Sequence, residues 1–132
     1  MKVDHIGIAV TNLKEAVAVY SKLLGKTPEH YEEIAEQRAR TAFFAVDDTN
    51  IELLESTSPD GPIGKFIKKQ GRGGIHHICI QVEDIEKTLV EYKRQGIQLI
   101  DERPRIGAHG KKIAFVHPKS TGGVLLELSE KI

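Results

Sequence analysis

A single cysteine, Cys79, excludes a disulfide within the chain and fits a reducing compartment. Neither sign of charge is in excess. Lys and Arg together number 19, as do Asp and Glu, so no global field draws the chain to nucleic acid or to an acidic membrane surface. No apolar stretch reaches the length of a membrane span, and Met1-Lys2-Val3-Asp4-His5 carries no signal-type apolar run. These absences leave a cytoplasmic globular unit as the expectation, and 132 residues suffice to enclose a core.

What is present is a phrase written twice. Asp4-His5-Ile6-Gly7-Ile8-Ala9-Val10, followed by Thr11-Asn12-Leu13, returns 72 positions later as His76-His77-Ile78-Cys79-Ile80-Gln81-Val82, followed by Glu83-Asp84-Ile85. Asn12 and Asp84 stand at matching places as helix N-caps, with Glu15 three residues after Asn12 as in a capping box. Leu13, Ala16, Val17, Tyr20 and Leu24 recur at helical spacing, and Ile85, Leu89 and Tyr92 repeat most of that face. Gly25 and Gly96 end the two helices. Strand patterns follow at 41–46 and 51–55 in the first half and at 112–116 and 124–128 in the second, with a weaker strand before each pair near 29–33 and 98–101. Residues 58–74, rich in Gly and Pro with a short helix around 65–69, read as a hinge. The pattern predicts an α+β chain with one domain over 1–132. Two tandem βαβββ modules (1–57 and 75–132, connector 58–74) form an eight-stranded, cup-shaped mixed sheet with helices outside.

Strand parity then selects candidate site residues. His5, Gly7 and Ala9 oppose Ile6, Ile8 and Val10, and His77, Cys79 and Gln81 oppose Ile78, Ile80 and Val82. Glu52 opposes Ile51 and Leu53, and Glu127 opposes Val124, Leu126 and Leu128. A strand histidine or glutamate taken alone is ordinarily structural. Four at repeat-matched positions with one parity point to a shared cation, because an enclosed carboxylate is costly unless paired or metal-bound. Two imidazoles and two carboxylates suit one borderline divalent ion (Co, Zn, Mn or Ni) better than calcium. Two coordination positions then remain for substrate oxygens, and a Lewis acid there lowers the cost of taking a proton from carbon next to a carbonyl.

The paired Asp-His-Ile and His-His-Ile strands are similar to those of the vicinal-oxygen-chelate (glyoxalase-type) superfamily. The chain further resembles its methylmalonyl-CoA epimerase branch in Ala35-Glu36-Gln37, in Ile51-Glu52-Leu53-Leu54-Glu55-Ser56-Thr57-Ser58-Pro59, and in Gly74-Ile75-His76-His77-Ile78. The likeness continues through Asp101-Glu102-Arg103-Pro104-Arg105-Ile106-Gly107 and from Lys111 through His117-Pro118-Lys119-Ser120 to Leu128. The resemblance places the metal ligands at His5, Glu52, His77 and Glu127, the second of which is Gln in some members. It implies interconversion of (R)- and (S)-methylmalonyl-CoA by 1,1-proton transfer through a metal-stabilised enolate, with a homodimer as the assembly. Inversion at one carbon needs an acid/base on each face. The family implies Glu127 as one. In some members a non-ligand Glu, four residues beyond the Gln of the Glu-Gln pair, is the other, and that position here is Thr41. Glu52 by symmetry, or a bound water, are the candidates left for that role.

Arg103, Arg105, Lys111, Lys112 and Lys119 form a basic stretch expected to meet the phosphates of an acyl-CoA substrate. Gly107, Gly110, Gly122 and Gly123 flank it and allow close backbone approach. His76 reads as structural, His117 as the start of a turn, and Tyr20 and Tyr92 as core; His30 and His109 receive no role. Two alternatives share the scaffold: a lactoylglutathione lyase (glyoxalase I) acting on a glutathione hemithioacetal, and a metal-free small-molecule-binding protein.

Overall fold

The computed structural model describes residues 1–132. Its elements in chain order are β1 (Lys2–Ala9), α1 (Leu13–Leu24), β2 (His30–Ile34), β3 (Ala39–Val46), β4 (Thr49–Ser56), α2 (Pro62–Gln70), β5 (Gly74–Val82), α3 (Ile85–Arg94), β6 (Arg105–Ile106), β7 (Lys112–Val116) and β8 (Leu126–Glu130). The chain divides into two compact units, His5–His76 and a second made of Met1–Asp4 with His77–Ile132. Strand order in the first half is β2-β3-β4-β1, and in the second β5-β8-β7-β6. In each, the first strand of the module pairs in parallel with its last, and the remaining pairs are antiparallel. The duplication read in the sequence is therefore a duplication of topology.

Both helices that follow a histidine strand begin where the caps predict. The Asn12 carboxamide oxygen accepts the Glu15 N–H at 3.1 Å and Asp84 accepts that of Lys87 at 3.0 Å, satisfying donors the helix leaves unpaired. Gly25 adopts the left-handed conformation that ends α1. In the second unit α3 packs Ile85 and Leu89 on Val82, Ala114 and Leu128, with Tyr92 and Leu99 against them. In the first, Tyr20 of α1 lies 6.4 Å from Phe44, ring to ring.

Three elements depart from the sequence pattern. The weak strand expected at 98–101 is only an isolated bridge, Leu99 to Val116, and the short fourth strand of that module is β6 at Arg105–Ile106. Backbone bonds still tie the segment to β7, from the Ile100 and Asp101 N–H groups to the Phe115 carbonyl and from the His117 N–H to the Gln98 carbonyl, and Asp101 Oδ2 accepts the Phe115 N–H at 2.9 Å. The last strand is Leu126–Glu130, shifted two residues along from the apolar run, because its register with β7 sets Ser129 opposite Ile113. The connector is not an unpacked hinge. Ile63 of α2 is buried with Ala9, Ala39 and Leu54, and Phe66 and Ile67 pack against them. Leu54 and Glu52 share a strand face, so α2 covers one end of the face that carries His5 and Glu52. Gly73 makes this possible, since a Cβ there would stand 2.4 Å from the Ala9 carbonyl oxygen.

Candidate metal centre

Each module brings one imidazole and one carboxylate together. In the first, β1 and β4 run parallel with Gly7 opposite Glu52. Gly7 has no side chain to intervene, and His5 Nε2 lies 3.8 Å from Glu52 Oε2. In the second, Cys79 opposes Glu127, and His77 Nε2 lies 3.1 Å from Glu127 Oε1. Burial is nearly complete for all four: 8% exposure for His5, 3% for Glu52, 4% for His77 and 6% for Glu127. Carboxylates so enclosed need a compensating cation or protonated partner, and each has an imidazole edge beside it. The donors are those a borderline divalent ion prefers, nitrogen and carboxylate oxygen without sulfur ligation, so each couple fits half of a cation site.

The ladder reveals a second repeat-matched pair that parity alone did not single out. Phe43 stands opposite Glu52, and Phe115 opposite Glu127. The two phenylalanines are 72 positions apart, the same offset as the histidines, and that spacing was the available signal. Phe115 meets the His77 ring edge-on at 6.3 Å, which fixes the imidazole plane. Ser129, two residues past Glu127 on the same face, is buried with no hydrogen-bond partner for its hydroxyl.

The expected cationic residues divide. Arg105 lies over the Phe115 ring at 5.4 Å with its Nε 3.7 Å from Asp101, so it is held beside the His77–Glu127 couple. Lys111 is paired with Asp4 at 3.2 Å and is mostly buried, and Lys112 bonds Glu86 at 3.3 Å. Arg103 and Lys119 are exposed. His76 packs edge-on against Phe66 at 4.9 Å, and His117 caps a short turn by accepting the Lys119 N–H, as the sequence suggested for both. Thr41 is buried and its hydroxyl donates to the Glu32 carbonyl at 2.7 Å. A cavity of about 430 Å³ in the first unit lies near the start of α1, lined among others by Leu13, Val17, Tyr31 and Arg40. There Glu55 already bonds the Leu13 N–H and Arg40, so this carboxylate works as a structural cap.

The model of the Glyoxalase/Bleomycin resistance protein/Dioxygenase superfamily matches residues 4–115. The mitochondrial methylmalonyl-CoA epimerase of Dictyostelium discoideum is 41% identical over 130 residues, covering 98% of this chain and 78% of that one. A hypothetical protein of Bacillus halodurans C-125 superposes with a TM-score of 0.95 at 44% identity, over 99% of this chain and 94% of the other. A variant of Streptomyces coelicolor methylmalonyl-CoA epimerase, solved with 2-nitronate-propionyl-CoA, does so at 0.93 and 34% identity, over 99% and 94%. The chain belongs to the Glyoxalase/Bleomycin resistance protein/Dioxygenase superfamily, whose fold its two four-stranded modules and three helices reproduce. Within that superfamily its family is the methylmalonyl-CoA epimerases.

Proposed function

We propose that the protein is an isomerase that interconverts (R)- and (S)-methylmalonyl-CoA by removing the proton at C2 and returning one to the opposite face. The observation that carries this reading is the pair of buried imidazole–carboxylate couples, one per module at repeat-matched positions, in a chain of this family. His5, Glu52, His77 and Glu127 together hold one divalent ion, with Co, Zn, Mn and Ni suited to the donors. When bound, the ion supplies Lewis-acid stabilisation for the thioester and carboxylate oxygens of the substrate.

The rest of the chemistry belongs to the side chains. Glu127 takes or delivers the C2 proton on one face, and as a carboxylate it is matched to a carbon acid whose enolate is stabilised. Phe43 and Phe115 supply apolar walls that exclude water from the reacting carbon, which strengthens every charge interaction there. Arg105, pre-oriented by Asp101 and the Phe115 ring, meets an anionic group of the acyl-CoA, and Arg103 and Lys119 offer further cations at the surface. Lys111, paired with Asp4, is a further cation of the same stretch.

The test uses each epimer of methylmalonyl-CoA separately, with metal-loaded protein in deuterated water. The C2 proton of both exchanges and both invert. Absence of exchange from either epimer overturns the assignment, and turnover of the methylglyoxal–glutathione adduct in its place would make the protein a lactoylglutathione lyase.

A further inference from the structure

Resting on that reading, we infer that Glu32 is the second acid/base of the epimerisation and that His30 connects it to solvent. On β3 of the first unit, Thr41 is a buried hydroxyl already committed to the Glu32 carbonyl, so it offers no proton carrier of its own. The register shows what stands next to it. Glu32 is opposite Thr41 and His30 is opposite Phe43, while Phe43 is opposite Glu52. Directly paired residues share a sheet face, as do residues two apart along a strand. Glu32, His30, Thr41, Phe43 and Glu52 therefore all stand on one face of the first unit, the face that also carries His5.

The two side chains form a proton path. His30 Nε2 lies 3.3 Å from Glu32 Oε1, and the His30 ring leans on Phe43 at 5.8 Å. Glu32 has 28% of its side chain exposed and His30 has 47%, so access to water increases from the carboxylate to the imidazole. A carboxylate that has taken a carbon-bound proton must lose it to solvent before the next turnover, and an imidazole at the rim suits that transfer. The second module differs at the matching register position. Arg105 is opposite Ile113 as Glu32 is opposite Thr41, and those two β7 and β3 residues are 72 positions apart. One module thus presents a proton carrier where the other presents a guanidinium for substrate charge.

The step balances without a co-reactant. Glu32 accepts the C2 proton as the C–H electron pair passes into the enolate, and Glu127 delivers a proton to C2 on the other face; the reverse epimerisation exchanges the two roles. An enzyme lacking only Glu32 keeps half of this cycle, and that asymmetry is the test. Metal-loaded Glu32→Gln, given each epimer in deuterated water, still exchanges the C2 proton of the epimer that Glu127 deprotonates, with retention of configuration. It exchanges the other epimer and inverts either one at least about 100-fold more slowly than wild type. Glu32→Asp, which keeps the carboxylate, restores exchange of both epimers at a reduced rate, and His30→Gln lowers kcat with KM unchanged. Inversion at the wild-type rate in Glu32→Gln overturns the inference, as does equal loss of exchange from both epimers with Glu32→Asp no better. If wild type itself exchanges neither epimer, the epimerase reading fails instead.

Discussion

Removing His77 is the sharpest test of the proposed metal centre. Its imidazole is 4% exposed and lies 3.1 Å from Glu127, so His77→Ala deletes one nitrogen donor and leaves a buried carboxylate without its neighbour. For 132 residues the unfolding entropy is roughly 0.28 kcal/mol per kelvin, so 1 kcal/mol corresponds to about 3.6 °C in Tm. A divalent ion at 100 times its Kd stabilises the wild type by about 2.7 kcal/mol, or roughly 10 °C. Loss of an outer partner of a metal ligand already costs about 10- to 100-fold in affinity, so loss of a ligand costs at least about 100-fold. At the same ion concentration the variant then sits near its own Kd and gains only about 0.4 kcal/mol, roughly 1.5 °C. Tm is measured by differential scanning calorimetry with chelator and with cobalt(II), and each variant is compared with its own metal-free form, which removes the intrinsic cost of the substitution. Glu52→Ala, in the other module, is run in parallel and collapses the shift likewise. A shift that survives His77→Ala at full size, or one that depends on a single module, refutes the reasoning that both couples hold one ion.

Three further outcomes are expected. Arg105→Ala raises KM for methylmalonyl-CoA about tenfold and leaves kcat within about twofold in steady-state assays, because Arg105 contributes binding rather than proton transfer. Gly73→Ala places a methyl against the Ala9 carbonyl and lowers stability by about 1–3 kcal/mol in urea titration. Glu29 supplies a pH test: the Lys26 ammonium and the Ala45 N–H hold its carboxyl below the ordinary range, so its contribution is present above the ordinary Glu pKa and lost as pH falls through the depressed value. Glu29→Gln therefore flattens the acid limb of a plot of Tm against pH, and an unchanged limb would count against the Lys26–Glu29 contact.

The repeat offset and the two-residue period of strands were enough to place His5, His77, Glu52 and Glu127 on matching faces, and the caps at Asn12 and Asp84 began both helices where expected. Those features are local, because side-chain alternation follows from backbone geometry within a single strand. Pairing between strands is not local. That Phe43 meets both His30 and Glu52, that Glu32 lies beside Thr41, and that Lys111 is spent on Asp4 depend on register across segments distant in sequence. The short helix expected around 65–69 is present in the connector, but its packing of Ile63 under Ala9 and Leu54 was not legible in a Gly- and Pro-rich segment read as a hinge. The sequence by itself determined which side chains are proposed to hold the metal, since a duplicated motif marks them without knowledge of the fold. Tertiary structure decided which neighbours surround them, because ladder register is set by long-range burial that no single segment encodes.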